Sequence, residues 1–325
     1  MDYPWQEIVD ILSLPDGTPD PVAVAEYETA YEAIFGGTRD LLNAHEIVQD
    51  VINDAKDTVD HDLIIVDASD PSNALSGMNV IEHVGEIGAR LRSMAMSPAD
   101  GSLMLTNLSP NNLIRLENNL RGNIVEHEVV KVESYDSPGR IVSTYNLHGA
   151  VPNFDDVSAP NQTAQANSLG EPRGIVFRGD GLRAYVAASG VGRVGVLDTS
   201  GTVLGLRDVG GEHSHPVSLA VSSADELYVL DTNNMTVTSL DASSDTLPIT
   251  ESVCLYTIEP EFMRKGRGAM NSARFTNNYG ASCATCHPGG HLDHTAWDLG
   301  NGLATELLSI PHVPASGGDL CDEAT

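Results

Sequence analysis

Pro172-Arg173-Gly174-Ile175-Val176-Phe177, a turn at Gly179-Asp180-Gly181, Ala184-Tyr185-Val186-Ala187 and Arg193-Val194-Gly195-Val196-Leu197-Asp198 together form the stretch that decides the fold. Short runs of β-branched and aromatic residues, punctuated by glycine and aspartate, read as strands joined by tight turns. The phrase returns as Pro216-Val217-Ser218-Leu219-Ala220-Val221, Leu227-Tyr228-Val229-Leu230 and Thr236-Val237-Thr238-Ser239-Leu240-Asp241. An earlier copy runs Ser93-Met94-Ala95-Met96-Ser97, a turn at Pro98-Ala99-Asp100-Gly101, and Leu103-Met104-Leu105-Thr106-Asn107. Ile175 and Leu219 are 44 residues apart, and Asp198 and Asp241 are 43 apart. A period of about 40–45 residues with three or four strands per unit is the mark of a β-propeller.

Outward from these repeats the pattern is less regular. Asp62-Leu63-Ile64-Ile65-Val66-Asp67 reads as a strand, and so does Asn112-Leu113-Ile114-Arg115-Leu116. Met94 and Ile175 are 81 residues apart, close to two periods, so residues 117–170 are expected to hold a degenerate blade or a long insertion. The Asn/Gln/Pro-rich stretch 150–170 reads as a loop without chemistry. Residues 20–60 carry apolar positions at threes and fours among carboxylates, which predicts helices broken at Gly36-Gly37. The division that follows is a helical segment 1–60, propeller blades 61–250 and a C-terminal segment 251–325. The predicted fold is therefore mainly β, a partial propeller with helical flanks. A propeller needs about four to eight blades and three are clear here. Either the helical region replaces a blade, or further blades are absent from this chain.

Composition bounds the partners. The chain has 46 acidic and 17 basic residues and a formal charge of −29, with Lys56, Lys131 and Lys265 its only lysines. Such a surface repels phosphate backbones and anionic lipid, which excludes nucleic-acid binding and polybasic membrane docking. No apolar run approaches the ~20 residues that span a bilayer. Met1-Asp2-Tyr3-Pro4-Trp5 has neither the basic nor the apolar region of a secretory signal, so the chain reads as cytosolic or as the mature or shortened form of something longer.

The chemistry is concentrated near the end, in Ser282-Cys283-Ala284-Thr285-Cys286-His287-Pro288. C-x-x-C-H is the attachment signature of a c-type haem. Thiols three positions apart on one helical turn can each form a thioether with a vinyl group, and the next imidazole ligates the iron. Cys283 and Cys286 are thus the expected anchors of haem c, and His287 the expected iron ligand. Zinc held by Cys283, Cys286 and two of His287, His291 and His294 is a second reading. A redox-active dithiol is a third, without the βαβ surroundings that would support it. The sixth iron position is open among Met263, Met270, His291, His294 and His312, or is vacant. Arg267 and Arg274 flank the box as candidate partners for propionates, and Trp297 is a candidate for the haem edge. Covalent haem attachment takes place outside the cytoplasm, where disulfides persist, so a Cys254–Cys321 bridge tying the chain end to the last blade is one reading and two free thiols the other.

Two longer phrases carry a resemblance. They are Arg264-Lys265-Gly266-Arg267-Gly268, Ala273-Arg274-Phe275, Ser282 through Gly290, Asp293 and Trp297-Asp298-Leu299-Gly300, and upstream Asn112 through Gly122. Together they resemble bacterial YVTN-type β-propellers fused to a cytochrome c domain related to the di-haem cytochrome c peroxidases. The resemblance implies an exported, periplasmic or extracellular haem protein with Cys283 and Cys286 as anchors and His287 as proximal ligand. The peroxidase mechanism does not follow, because it uses two haems in series and no second C-x-x-C-H is present. The short tail and the missing signal read as an incomplete or reduced family member. Three functions are therefore expected in order: a mono-haem electron carrier with a basic electron donor or acceptor, a peroxidase-type oxidoreductase, and a propeller binding module with structural zinc or no cofactor. Association with a basic partner would weaken as salt rises.

Overall fold

A computed structural model describes residues 62–67, 69, 80–111, 124–156, 159–211 and 213–288, together with Pro21, Val22 and Ala25. The chain divides into two compact units, Met1–Glu86 and Ile87–Thr325. In the first, β1 (Leu63–Val66) and β2 (Val80–Val84) form an antiparallel pair with Leu63 opposite Val84, and β1 is the apolar strand read from the sequence. Pro21, Val22 and Ala25 are helical, and the rest of the expected N-terminal helices lie outside the described residues.

The second unit contains three four-stranded antiparallel meanders. The first is β3 (Leu91–Met96), β4 (Leu103–Pro110), β5 (Val125–Glu133) and β6 (Ile141–Asn146). The second is β7 (Pro172–Phe177), β8 (Ala184–Ala188), β9 (Arg193–Leu197) and β10 (Val203–Asp208). The third is β11 (Pro216–Val221), β12 (Glu226–Asp231), β13 (Thr236–Asp241) and β14 (Ile249–Cys254). In each, sequential strands are neighbours, and the first strands β3, β7 and β11 lie beside one another from sheet to sheet. Successive meanders set face to face, with their first strands innermost, are the blades of a β-propeller.

The period-two pattern explains the packing. Every residue of β8 and β9 is buried, because the second blade is covered on both faces. Ala184, Val186 and Ala188 face a core shared with Met104 and Val129 of the first blade. Tyr185, Val194 and Val196 point the other way, into a core with Leu227, Val229 and Leu240 of the third. Each such aliphatic side chain contributes about 1.5–3 kcal/mol on burial. The outer strands β6 and β14 are largely exposed.

Two glycines of the repeated phrase are set by close approach. Gly181 has a φ of +71°, and a Cβ there would fall 2.5 Å from Ala99 Cβ in the corresponding turn of the first blade. A Cβ on Gly174 would stand 2.8 Å from Val217 O and 3.1 Å from Ser218 Cα, which are backbone atoms of β11. Gly174 thus lets β7 and β11 approach closely. Gly174→Ala is expected to cost about 1–3 kcal/mol, since backbone must move to admit the methyl. Urea denaturation checks this, and an unchanged midpoint would remove the close-approach argument.

Residues 117–170 are neither a separate blade nor one long insertion. They supply β5 and β6, which complete the first blade, and the expected strand Asn112–Leu116 lies outside the described residues. Periodicity does not reveal β5, because Glu126-His127-Glu128 puts a polar residue at the inward position 127 and Val129-Val130 breaks the alternation. Within 150–170 stands a short helix, α1 (Gln162–Asn167), in place of a plain loop. Asn161 caps it by accepting from Ala164 N–H at 3.0 Å. Among the described residues no helix is long and apolar enough to cross a membrane.

Candidate functional site

After β14 the chain forms α2 (Glu261–Asn271), a 3₁₀ turn at Ala273–Phe275 and the single turn α3 (Cys283–Cys286). The 3₁₀ turn is fastened to the second blade. Ala273 N–H donates to Gly190 O at 2.7 Å, and buried Arg274 donates through Nε to Val191 O at 3.1 Å and through Nη2 to Asp208 at 3.0 Å. The following residues rest on the 150–170 stretch. Gln165 donates to Asn277 O at 3.1 Å, Ser168 Oγ to Tyr279 O at 2.8 Å and Asn278 to Phe154 O at 3.1 Å. The stretch read from the sequence as a plain loop is thus the seat of the segment leading to the C-x-x-C-H box.

The C-x-x-C-H sequence occupies α3 and its end. Ser282 and Thr285 form a capping box, with Ser282 N–H donating to Thr285 Oγ1 at 2.8 Å. His287 N–H donates to Cys283 O at 3.0 Å. Thr285 is fully buried, whereas Cys283 is exposed and Cys286 is half-buried beside Leu108, Ile124 and Val125. Burying the second intervening residue therefore leaves the first thiol toward solvent. Cys283 and Cys286 are both thiols, and Cys254 is disulfide-bonded. Cys321 lies outside the described residues.

Thr285 is the anchor of this turn. Its hydroxyl donates to the Glu171 carboxylate, and its carbonyl accepts from Arg90 Nη1 at 2.7 Å. Glu171 in turn pairs with Arg92 at 2.8 Å. Burial alone pushes the Glu171 carboxyl up, but Arg92, the neighbouring His127 and the Thr285 hydroxyl together hold it below the usual glutamate range.

A pocket of 440 Å³ opens beside the box, lined by Arg90, Arg92, Arg173, Val217, Ala284 and Pro288 among others. It joins the first strands of all three blades to the two residues that flank Thr285-Cys286-His287. Burial and the nearby Arg92 both lower the Arg173 pKa, as expected for like charges brought together away from water. Arg92 Nη1 and Arg173 Nε are buried without a hydrogen-bond partner.

The two arginines expected at the propionates are engaged elsewhere. Arg267 forms a fork with Glu259 at 2.6 and 2.8 Å and donates to Asn233 at 2.9 Å, while Arg274 serves the second blade as above. The cations that face the box are Arg90, Arg92 and Arg173, and the sequence holds a signal for them. In a chain so poor in cations, Arg90-Leu91-Arg92 and Arg173 all fall at the start of inner strands. Met263 and Met270 both lie on α2. His291, His294, His312 and Trp297 lie outside the described residues, so the zinc reading rests on positions beyond them. Among the described residues no group of three or more His, Cys, Asp or Glu side chains is arranged around a metal position.

No protein-family model and no curated protein sequence matches this chain. Solved structures similar to it include Kuenenia stuttgartiensis hydrazine synthase, 18% identical over 53% of this chain and 48% of that one, with a TM-score of 0.36. Virginiamycin B lyase from Staphylococcus aureus, crystallised in a catalytically inactive form with quinupristin, is 17% identical over 60% of this chain and 55% of its own, with a TM-score of 0.36. The Cps50 (Swd1) β-propeller domain of Myceliophteria thermophila is 11% identical over 56% and 64% of the two chains, at a TM-score of 0.33. The chain spans about half the length of the first of these structures. The fold assignment is carried by the blades themselves.

Proposed function

We propose that this chain is an exported c-type haem protein that transfers single electrons, with the propeller as the scaffold of the haem segment. The observation that carries the reading is the C-x-x-C-H box on one capped helical turn, with both cysteines as thiols and Cys283 presented to solvent. Cys283 and Cys286 would hold the haem by thioethers, and His287 would ligate its iron. A haem so bound supplies one-electron exchange. Thr285 fixes the turn that sets the spacing of the thiols, and Glu171 and Arg90 fix Thr285. The disulfide at Cys254 supports maturation in an oxidising compartment, periplasmic or extracellular. The charge of −29 favours a basic electron donor or acceptor.

Wild-type protein produced with a haem-maturation system is expected to show a haem absorbance that survives denaturation. The Cys283→Ala/Cys286→Ala variant is expected to show none. Wild type without covalent haem under these conditions would overturn the proposal. One equivalent of zinc and no iron would put the structural-zinc reading in its place, and rapid peroxide turnover by the haem-loaded protein would move the function from electron carrier to peroxidase-type enzyme.

A further inference from the structure

We infer that the arginine pocket beside the haem box is a binding site for a carboxylate anion. The inference rests on the haem reading only for one of the two sources of that carboxylate. In a chain of net charge −29, three guanidinium groups line one pocket; Arg90 donates to the Thr285 carbonyl, and Glu171 pairs with Arg92 and reaches Arg173 only through its longer-range attraction. Among the described residues no hydrogen bond or ion pair engages the Arg173 guanidinium, and its Nε is buried. Arg92 gives one nitrogen to Glu171, and its Nη1 is buried without a partner. Two half-satisfied, mutually repelling cations inside a fold are costly unless an anion lies between them.

The geometry favours a carboxylate. Guanidinium forks bind planar oxyanions with two parallel hydrogen bonds, and Arg92 and Arg173 stand on adjacent inner strands. Glu171 already covers one side of Arg92 and is held by Thr285, so it cannot swing across to Arg173 without releasing the haem turn. The remaining walls, Val217, Ala284 and Pro288, are apolar and suit the carbon skeleton of the bound acid. Such a carboxylate has two sources: a propionate of a haem attached at Cys283 and Cys286, or a small diffusible di- or tricarboxylate.

The test uses the full chain. Haem-free Cys283→Ala/Cys286→Ala protein is titrated with malonate and citrate, with chloride at equal ionic strength as the control. Binding by calorimetry and a rise in Tm beyond the chloride effect are expected. Arg173→Gln in this background should weaken the carboxylate at least tenfold and, with no anion present, leave Tm unchanged or higher, because it removes a repelling charge. Arg173→Lys should fall between, and Arg178→Gln, whose guanidinium pairs with Asp180, should bind as the parent does. Haem-loaded protein then separates the sources. Loss of binding on loading assigns the pocket to a propionate, and unchanged binding assigns it to a diffusible acid. Absence of binding above the chloride control, or an Arg173→Gln variant that binds as tightly as its parent, overturns the inference. Haem attachment is scored separately by absorbance, so either conclusion can fail alone.

Discussion

Glu171→Ala is expected to lower the unfolding free energy by about 3–5 kcal/mol, the range for removing one partner of a buried ion pair. Glu171 is 3% exposed and pairs with Arg92, whose side chain is 18% exposed. Its removal leaves Arg92 facing Arg173 without its paired carboxylate, and it strips the Thr285 hydroxyl of its acceptor. The backbone at this position is held in place independently of the side chain. Glu171 has a φ of +58°, and its carbonyl accepts from both Ser189 N–H at 3.0 Å and Ser189 Oγ at 2.9 Å. A left-handed non-glycine residue persists only where its surroundings over-determine it. Two further variants divide the loss. Glu171→Gln keeps the acceptor for Thr285 and discards the charge, while Thr285→Val keeps the shape and discards the hydroxyl, which should cost about 1–3 kcal/mol. Their double variant should show coupling of roughly 0.5–3 kcal/mol, as for residues in direct contact. Strictly additive losses would mean that Glu171 does not brace α3.

The contrast between Glu171 and the C-x-x-C-H box shows what a sequence can carry. Cys283, Cys286 and His287 are recognisable because the C-x-x-C-H motif is defined by spacing within one turn. The second and third blades are equally legible, since alternation within each strand and turns such as Gly179-Asp180-Gly181 are local signals. The first blade is harder. Residues 111–124 separate β4 from β5, and in β5 the inward polar His127 and the adjacent pair Val129-Val130 interrupt the alternation. The pocket is further still from legibility. Arg90, Arg92, Glu171, Arg173, Val217 and Ala284 meet only because inner strands of successive blades lie side by side. The repeat phrase places those strands, but it holds no hint that the 150–170 stretch seats the segment before the box. Nor does proximity in sequence serve for Arg267 and Arg274. They flank the cysteines along the chain, yet they bind the third and second blades.

Acid is expected to destabilise the fold by several kcal/mol between about pH 6.5 and pH 4, before most carboxylates protonate. Among the described residues, three histidines stand in the interior: His127, His148 and His215. Burial lowers the His127 pKa to about 4, against the pull of Glu171 and Glu126. Burial, assisted by Arg173, lowers His215 to about 4 as well. Burial and the adjacent His127 lower His148. The ring of His148 stacks on Phe154 with centroids 3.7 Å apart and meets His127 edge-on at 5.1 Å, so two positive charges there would repel at contact distance. All three folded pKa values lie below the unfolded value near 6.5. As pH falls through about 6.5 the unfolded chain takes up protons that the folded chain refuses, so stability declines. A tenfold difference in proton affinity between the two states is worth about 1.4 kcal/mol, so His127 and His215 each lose on the order of 3 kcal/mol. The loss levels off near pH 4, where the folded groups also protonate. His127→Phe isolates one share. The ring is fully buried and its nitrogens make no hydrogen bond of ordinary geometry, the Gly280 backbone being the polar group that draws on it, so phenylalanine removes the titration at little hydrogen-bonding cost. Denaturant midpoints at a series of pH values should then show a slope reduced by about 1.4 kcal/mol per pH unit within this window, with little change above about pH 7. An unaltered slope would place the acid sensitivity in the carboxylates, where Glu171, held low in the fold, loses its stabilising charge only as pH drops below the ordinary glutamate range.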